Sequence, residues 1–138
     1  MPDQAPTPPP LRTTIRHAAE GRFDTGLRAF FGYRDLGIRE ATGGAYAAHV
    51  IRAIPGHPAQ AIWHLHELQF QMVFVLKGWV RFDYEDIGEA TLQAGDSALQ
   101  PPRIRHREMA HSDDMELLEI TSPAEFRTEV VDAPPGRG

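Results

Sequence analysis

The stretch Trp63-His64-Leu65-His66-Glu67-Leu68-Gln69-Phe70-Gln71 sets two histidines two residues apart inside an apolar run. In a strand, side chains alternate between faces, so His64 and His66 point the same way. Two strand rises put their Cβ atoms roughly 7 Å apart. Two imidazoles so placed can converge on one metal ion, and the remaining ligands must come from elsewhere in the fold.

Composition narrows the possibilities around that stretch. The chain has 138 residues, 41% of them hydrophobic, enough for one domain with a real core. A net charge of -5 without a basic run argues against nucleic-acid binding. No apolar stretch approaches the roughly 20 residues of a membrane-spanning helix. The proline-rich start resembles neither a signal nor a transit peptide. Cysteine is absent, so any metal must be held by nitrogen and oxygen ligands, and a cytoplasmic location is the default expectation.

Outward from the histidines, short apolar segments alternate with turn signals. Strands are expected at 27–33, 45–54, 61–68, 71–77, 79–84, 90–92, 97–100, 105–110 and 115–121. Turns are expected at Arg34-Asp35-Leu36-Gly37, Ala41-Thr42-Gly43-Gly44, Pro55-Gly56-His57-Pro58, Gly78, Asp86-Ile87-Gly88, Ala94-Gly95-Asp96, Pro101-Pro102 and Ser112-Asp113-Asp114. Many short strands at such spacing indicate an all-β sandwich or barrel. One weak helical turn is expected near Ile15 to Glu20. A short helix is expected from Ser122-Pro123-Ala124-Glu125-Phe126, with serine at the N-cap and proline at the first helical position. Residues 1–12 and 133–138 read as extended, proline-rich tails around a single domain at 13–132.

Two sets of residues at fixed spacing resemble the motifs of the cupin superfamily. The first matches at His64, His66, Gln71 (where the family usually has glutamate) and Gly78, with Gly56 in the place of the opening glycine. The second matches at Gly95, Pro101 and His106, with Arg103 and Ala110 replacing the usual glycine and asparagine. The resemblance covers about residues 43–126. It implies an all-β, double-stranded β-helix, that is, a jelly-roll barrel, with short helical or irregular terminal segments. It also implies one divalent metal ion inside, held by His64, His66, Gln71 and His106. Imidazole ligands suit Zn, Ni, Fe, Mn or Cu alike. Glu67 is the alternative carboxylate, although it follows His66 directly and should face the other way.

Gln71 is the departure with chemical consequences. Three imidazoles and one amide are all neutral, so the ion keeps its full charge and should favour an anionic partner. Strand parity places Glu108 and Ala110 on the face of His106. Glu116-Leu117-Leu118-Glu119-Ile120-Thr121-Ser122-Pro123 resembles the last barrel strand of small cupins. In those that linearise unsaturated uronates, which share a His-His-Gln-His ligand set, this strand offers an acid, a phenylalanine and an arginine. Glu119 takes the acidic position, but Thr121 and Glu125 stand where the other two would be, which weighs against that particular activity. Glu119 and Glu108 are therefore the candidate catalytic acids. Arg81, Tyr84, Arg103 and Arg105 are possible anion binders at the barrel mouth. His17, His49, His57 and His111 fall outside the motif frame and read as solvated or structural.

The leading expectation is an isomerase or lyase acting on a small anionic molecule, a sugar acid or a keto- or hydroxy-acid. An Fe-dependent dioxygenase and a non-enzymatic metal- or ligand-binding module are the alternatives. A homodimer is expected, paired through the apolar run Leu27 to Tyr33.

Overall fold

The computed structural model describes residues 11–137. A single 3-10 turn, Ala18–Glu20, is all that forms of the early helical segment. The strands follow as β1 (Asp24–Thr25), β2 (Phe31–Asp35), β3 (Ala47–Ala53), β4 (His64–Glu67), β5 (Phe70–Lys77), β6 (Trp79–Tyr84), β7 (Gly88–Gln93), β8 (Ser97–Leu99), β9 (His106–His111), β10 (Glu116–Ser122) and β11 (Arg127–Val130), with one helical turn, α1 (Ile38–Ala41), between β2 and β3. They form two antiparallel sheets, β1-β2-β3-β10-β5-β8 and β11-β4-β9-β6-β7. This is the all-β jelly roll expected from the sequence.

Alternation along β5 shows how the core is made. Gln71, Val73 and Val75 are buried, while Phe70, Phe74 and Leu76 are partly exposed. Leu117 and Thr121 of β10 lie opposite Val75 and Gln71 and are buried with them. Phe31, Ile51, Val73, Val75, Val80, Phe82, Met115 and Leu117 belong to one core cluster. Each such side chain contributes about 1.5–3 kcal/mol by leaving water. The hairpin between β5 and β6 turns on Gly78, at φ 68. A Cβ there would lie 2.2 Å from Ser112 Oγ, so glycine is needed for both conformation and space. No helix among the described residues is long and apolar enough to cross a membrane.

Several expectations fail locally. The run 27–33 is a strand only from Phe31, because Arg28 closes a turn onto Phe31 through its carbonyl; the strand then continues to Asp35, into the expected turn at 34–37, and α1 forms between the two expected turns. Within the run, Phe30 and Phe31 are buried in this chain's own core, while Leu27 is exposed. The helix expected from Ser122 does not form. The Ser122 hydroxyl donates to Ala45 O at 2.8 Å, and its carbonyl accepts from Gln69 N. Both groups that would start a helix are thus committed to the barrel, and the chain continues as β11. Residues 1–10 of the expected N-terminal tail lie outside the described residues. Of the C-terminal tail, Pro134 is buried and Arg137 pairs with Asp83, which Arg107 also holds at 3.0 Å.

Candidate metal centre and cavity

His64, His66 and His106 come together inside the barrel. His64 lies directly opposite His106 in the β4–β9 ladder, and His66 is two residues along on the same face. The ring centroids are 4.3 Å apart for His64–His106, 5.0 Å for His64–His66 and 5.2 Å for His66–His106. One ligand-capable atom from each lies within 4.8 Å of the others, and all three residues are buried.

The outward nitrogen of every ring is engaged. His64 Nδ1 meets Ile62 O at 2.8 Å, His106 Nδ1 meets Ile104 O at 3.1 Å, and His66 Nδ1 meets Thr128 Oγ1 at 2.8 Å. The two carbonyls can only accept, so the protons of His64 and His106 sit on Nδ1 and each Nε2 keeps its lone pair. His64 Nε2 is buried with no hydrogen-bond partner among the described residues. Burial is the main force holding the imidazoles neutral, pushing His64 down to about 2, His66 to about 3 and His106 to about 4. The charge of Arg28 lowers all three further, and His106 lowers its two neighbours. A buried, unpartnered, neutral imidazole nitrogen beside two others suits a divalent ion, and these three histidines could hold one.

Gln71 begins the inward row of β5, on the facing sheet, and is 3% exposed. Its amide Nε2 donates to Glu119 Oε2 at 3.1 Å, which leaves the side-chain oxygen unspent by that bond. Glu67 points away from the histidines and forms an ion pair with Arg103. Glu108 faces inward with His106, as parity predicts. A register shift then pairs Ala110 with Arg81 and Glu108 with Phe82, so the parity expected of Ala110 does not carry across the bulge.

A cavity of about 350 Å³ opens in front of His66 and His106. Gln71, Glu108 and Glu119 line it, together with polar residues that motif spacing did not single out, among them Arg28, Tyr33, Asp35 and His49. Register explains Asp35 and His49. Asp35, His49 and Glu119 are direct neighbours across β2, β3 and β10. His49 Nε2 is 4.0 Å from Asp35 Oδ1. A polar residue in phase with Ala47 and Ile51 is the signal that could have placed His49 indoors. Burial foremost pushes the Glu119 carboxyl up to about 7, with nearby Glu108 adding to the shift and the Gln71 bond and Arg28 opposing it. Burial also raises Glu108, against the pull of Arg28. Glu119 lies deep in the barrel but is reached through the cavity, so it keeps some accessible surface.

The arginines and tyrosine expected at the mouth do other work. Arg81 lies over Trp79, Tyr84 accepts a bond from Gln100 Nε2 at 2.9 Å, Arg103 pairs with Glu67, and Arg105 donates to Asp132 O at 3.0 Å.

Residues 50–121 match the cupin domain family. The chain is a cupin. A search of curated proteins found no match. Solved structures with similar folds include KdgF from Halomonas sp., 18% identical with a TM-score of 0.64 over 80% of this cupin and 94% of that chain. The polyketide cyclase RemF from Streptomyces resistomycificus is 14% identical, with a TM-score of 0.71 over 90% of this cupin and 89% of that chain. Hydroxypropylphosphonic acid epoxidase from S. wedmorenis is 19% identical, with a TM-score of 0.63 over 82% of this cupin. This cupin spans only 64% of that epoxidase chain. At these identities the likeness is one of fold.

Proposed function

We propose that this cupin is an enzyme that holds one divalent metal ion through Nε2 of His64, His66 and His106 and the side-chain oxygen of Gln71. Its substrate would be a small anion, and its reaction an isomerisation or lyase step on a sugar acid or a hydroxy- or keto-acid. The observation that carries the reading is the directed set of ring nitrogens: each Nδ1 has a partner outside the site, and His64 Nε2 is buried with none. Burying such an acceptor unpaired costs on the order of 1–3 kcal/mol, which a bound ion would recover.

Bound there, the metal would supply Lewis-acid polarisation of a substrate oxygen. The chain's own residues supply the rest. Gln71 spans from the ligand set to Glu119, donating its amide hydrogen to the carboxylate. Glu119 is the group proposed to give and take a proton, since it lines the cavity and is oriented by that bond. Glu108 is the second candidate acid. Neutral imidazoles and a neutral amide leave the site positive, which favours an anion. The homodimer and the cytoplasmic location also stand as proposals, to be read by light scattering of the purified chain and by localisation in cells.

Metal analysis of the purified full chain tests the centre. Near-unit stoichiometry is expected, falling to background in His64→Ala while the fold persists by circular dichroism. Unchanged metal content in that variant overturns the centre.

A further inference from the structure

Arg28 lies outside the segment that matches the family and before the β2 strand, yet its side chain reaches the cavity. That side chain is only 13% exposed. Its Nε and Nη2 are both buried without a hydrogen-bond partner among the described residues. These two atoms form one edge of the guanidinium, the edge whose parallel N–H bonds match the two oxygens of a carboxylate. The nearest anion, Glu108 Oε2, is 3.9 Å from Nε, beyond hydrogen-bond length, and is itself buried and unpartnered. Two opposite charges therefore face one space, each short of a partner. Beside them, the Tyr33 hydroxyl accepts a bond from Arg28 N at 3.1 Å, which leaves its own proton free to donate.

We propose that Arg28 binds the carboxylate of a small hydroxycarboxylic acid side-on through Nε and Nη2, while Glu108 accepts a hydrogen bond from a hydroxyl of the same molecule. This rests on the reading of the cavity as the site of a small anion, and it narrows that reading. In its ionised form Glu108 has acceptors only, so a donor on the ligand completes it. A molecule with a carboxylate and no hydroxyl would satisfy Arg28 and leave Glu108 unpaired. Tyr33 adds a donor to the carboxylate side.

The test uses the full chain, metal-loaded and metal-stripped, with gluconate as the hydroxycarboxylate and hexanoate as its hydroxyl-free counterpart, titrated by calorimetry. Wild type is expected to bind gluconate in both forms and to prefer it to hexanoate. Arg28→Gln should weaken gluconate about 10- to 100-fold, the scale of a paired charged hydrogen bond. Arg28→Lys, which keeps the charge without the two-pronged edge, should weaken it about tenfold and decides the matter if the glutamine variant does not fold. Glu108→Gln should reduce the preference for gluconate over hexanoate about fivefold, because a charged acceptor bonds roughly twice as strongly as a neutral one. Metal content at wild-type level in Arg28→Lys separates this proposal from the metal reading, and so does gluconate binding that depends on Arg28 in a chain that holds no metal. No gluconate binding by wild type, affinity unchanged in both Arg28 variants, or an unchanged preference in Glu108→Gln overturns the proposal.

Discussion

The two walls of the cavity are built on opposite principles. On the sheet carrying β4 and β9, each histidine has its outward nitrogen fixed by a partner and its charge suppressed by burial. On the facing sheet, and on the loop before β2, the polar groups are ionisable and incompletely paired: Glu119 has the Gln71 amide, His49 and Asp35 stand 4.0 Å apart, and Arg28 has no bond to Glu108. The first wall is organised before anything binds. The second leaves donors and acceptors for a ligand to complete. Preorganised ligands on one side and unspent hydrogen-bonding capacity on the other make a binding site, where two satisfied walls would make only a core.

The buried histidines and the buried carboxylates should respond to acid with opposite signs, which gives the largest predicted effect. The three histidines have folded values below their ordinary one, so the unfolded chain binds more protons and stability is lost as pH falls below about 6.5. Each can contribute up to about 1.4 kcal/mol per pH unit. Glu119 and Glu108 are raised, so the folded chain binds more protons and they offset that loss as pH falls toward their ordinary value. In the metal-free chain, Glu119→Gln should therefore steepen the loss by about 1.4 kcal/mol per unit between pH 6.5 and 4.5, while His106→Gln should flatten it by a similar amount. Urea unfolding across that range reads both slopes. Equal slopes in the two variants would show that these groups do not titrate as their burial implies.

A second prediction concerns what fixes the histidine wall. Thr128 lies directly opposite His66 on β11 and supplies the hydroxyl that orients its ring. Thr128→Val keeps the shape and the strand propensity but removes the oxygen. Loss of such an orienting partner should weaken metal binding about 10- to 100-fold. A competition titration with a chelator measures it, and unimpaired affinity would mean that packing alone holds His66.

Thr128 also shows where the sequence could and could not be read. The histidine wall was legible because its pattern is local: His64 and His66 share a strand, and His106 recurs at motif spacing. The inward position of Gln71 on the cavity was legible from the same spacing. The element behind them was not. Ser122-Pro123 carries a helix-start signal, but long-range bonds to Ala45 and Gln69 override it, and the β-branched residues Thr128 and Val130 fall in β11 instead. The opposite wall was harder still. Arg28, Tyr33, Asp35 and His49 belong to no motif, and only cross-strand register brings His49 and Asp35 beside Glu119. Arg28 stood alone as a charge inside an aromatic run, a signal that a strand reading absorbs as an outward side chain. Register and loop placement are tertiary facts, so periodicity along the chain could not supply them.

Gln71 joins the two walls, and altering its charge is the smallest and most discriminating change. Gln71→Glu is nearly isosteric, removes the donor to Glu119 Oε2, and places a second carboxylate beside the first. Without metal, the two carboxylates repel, and Glu119 should titrate higher than its value of about 7. With metal, the added negative charge should tighten the ion by up to about tenfold and weaken acetate binding by a similar factor, the scale of one charge-assisted contact. The two effects must move in opposite directions if Gln71 is a ligand that leaves the centre positive. Tighter metal with unchanged acetate affinity would place the anion away from the ion. Unchanged affinity for both would remove Gln71 from the ligand set and leave it as a bridge to Glu119 alone.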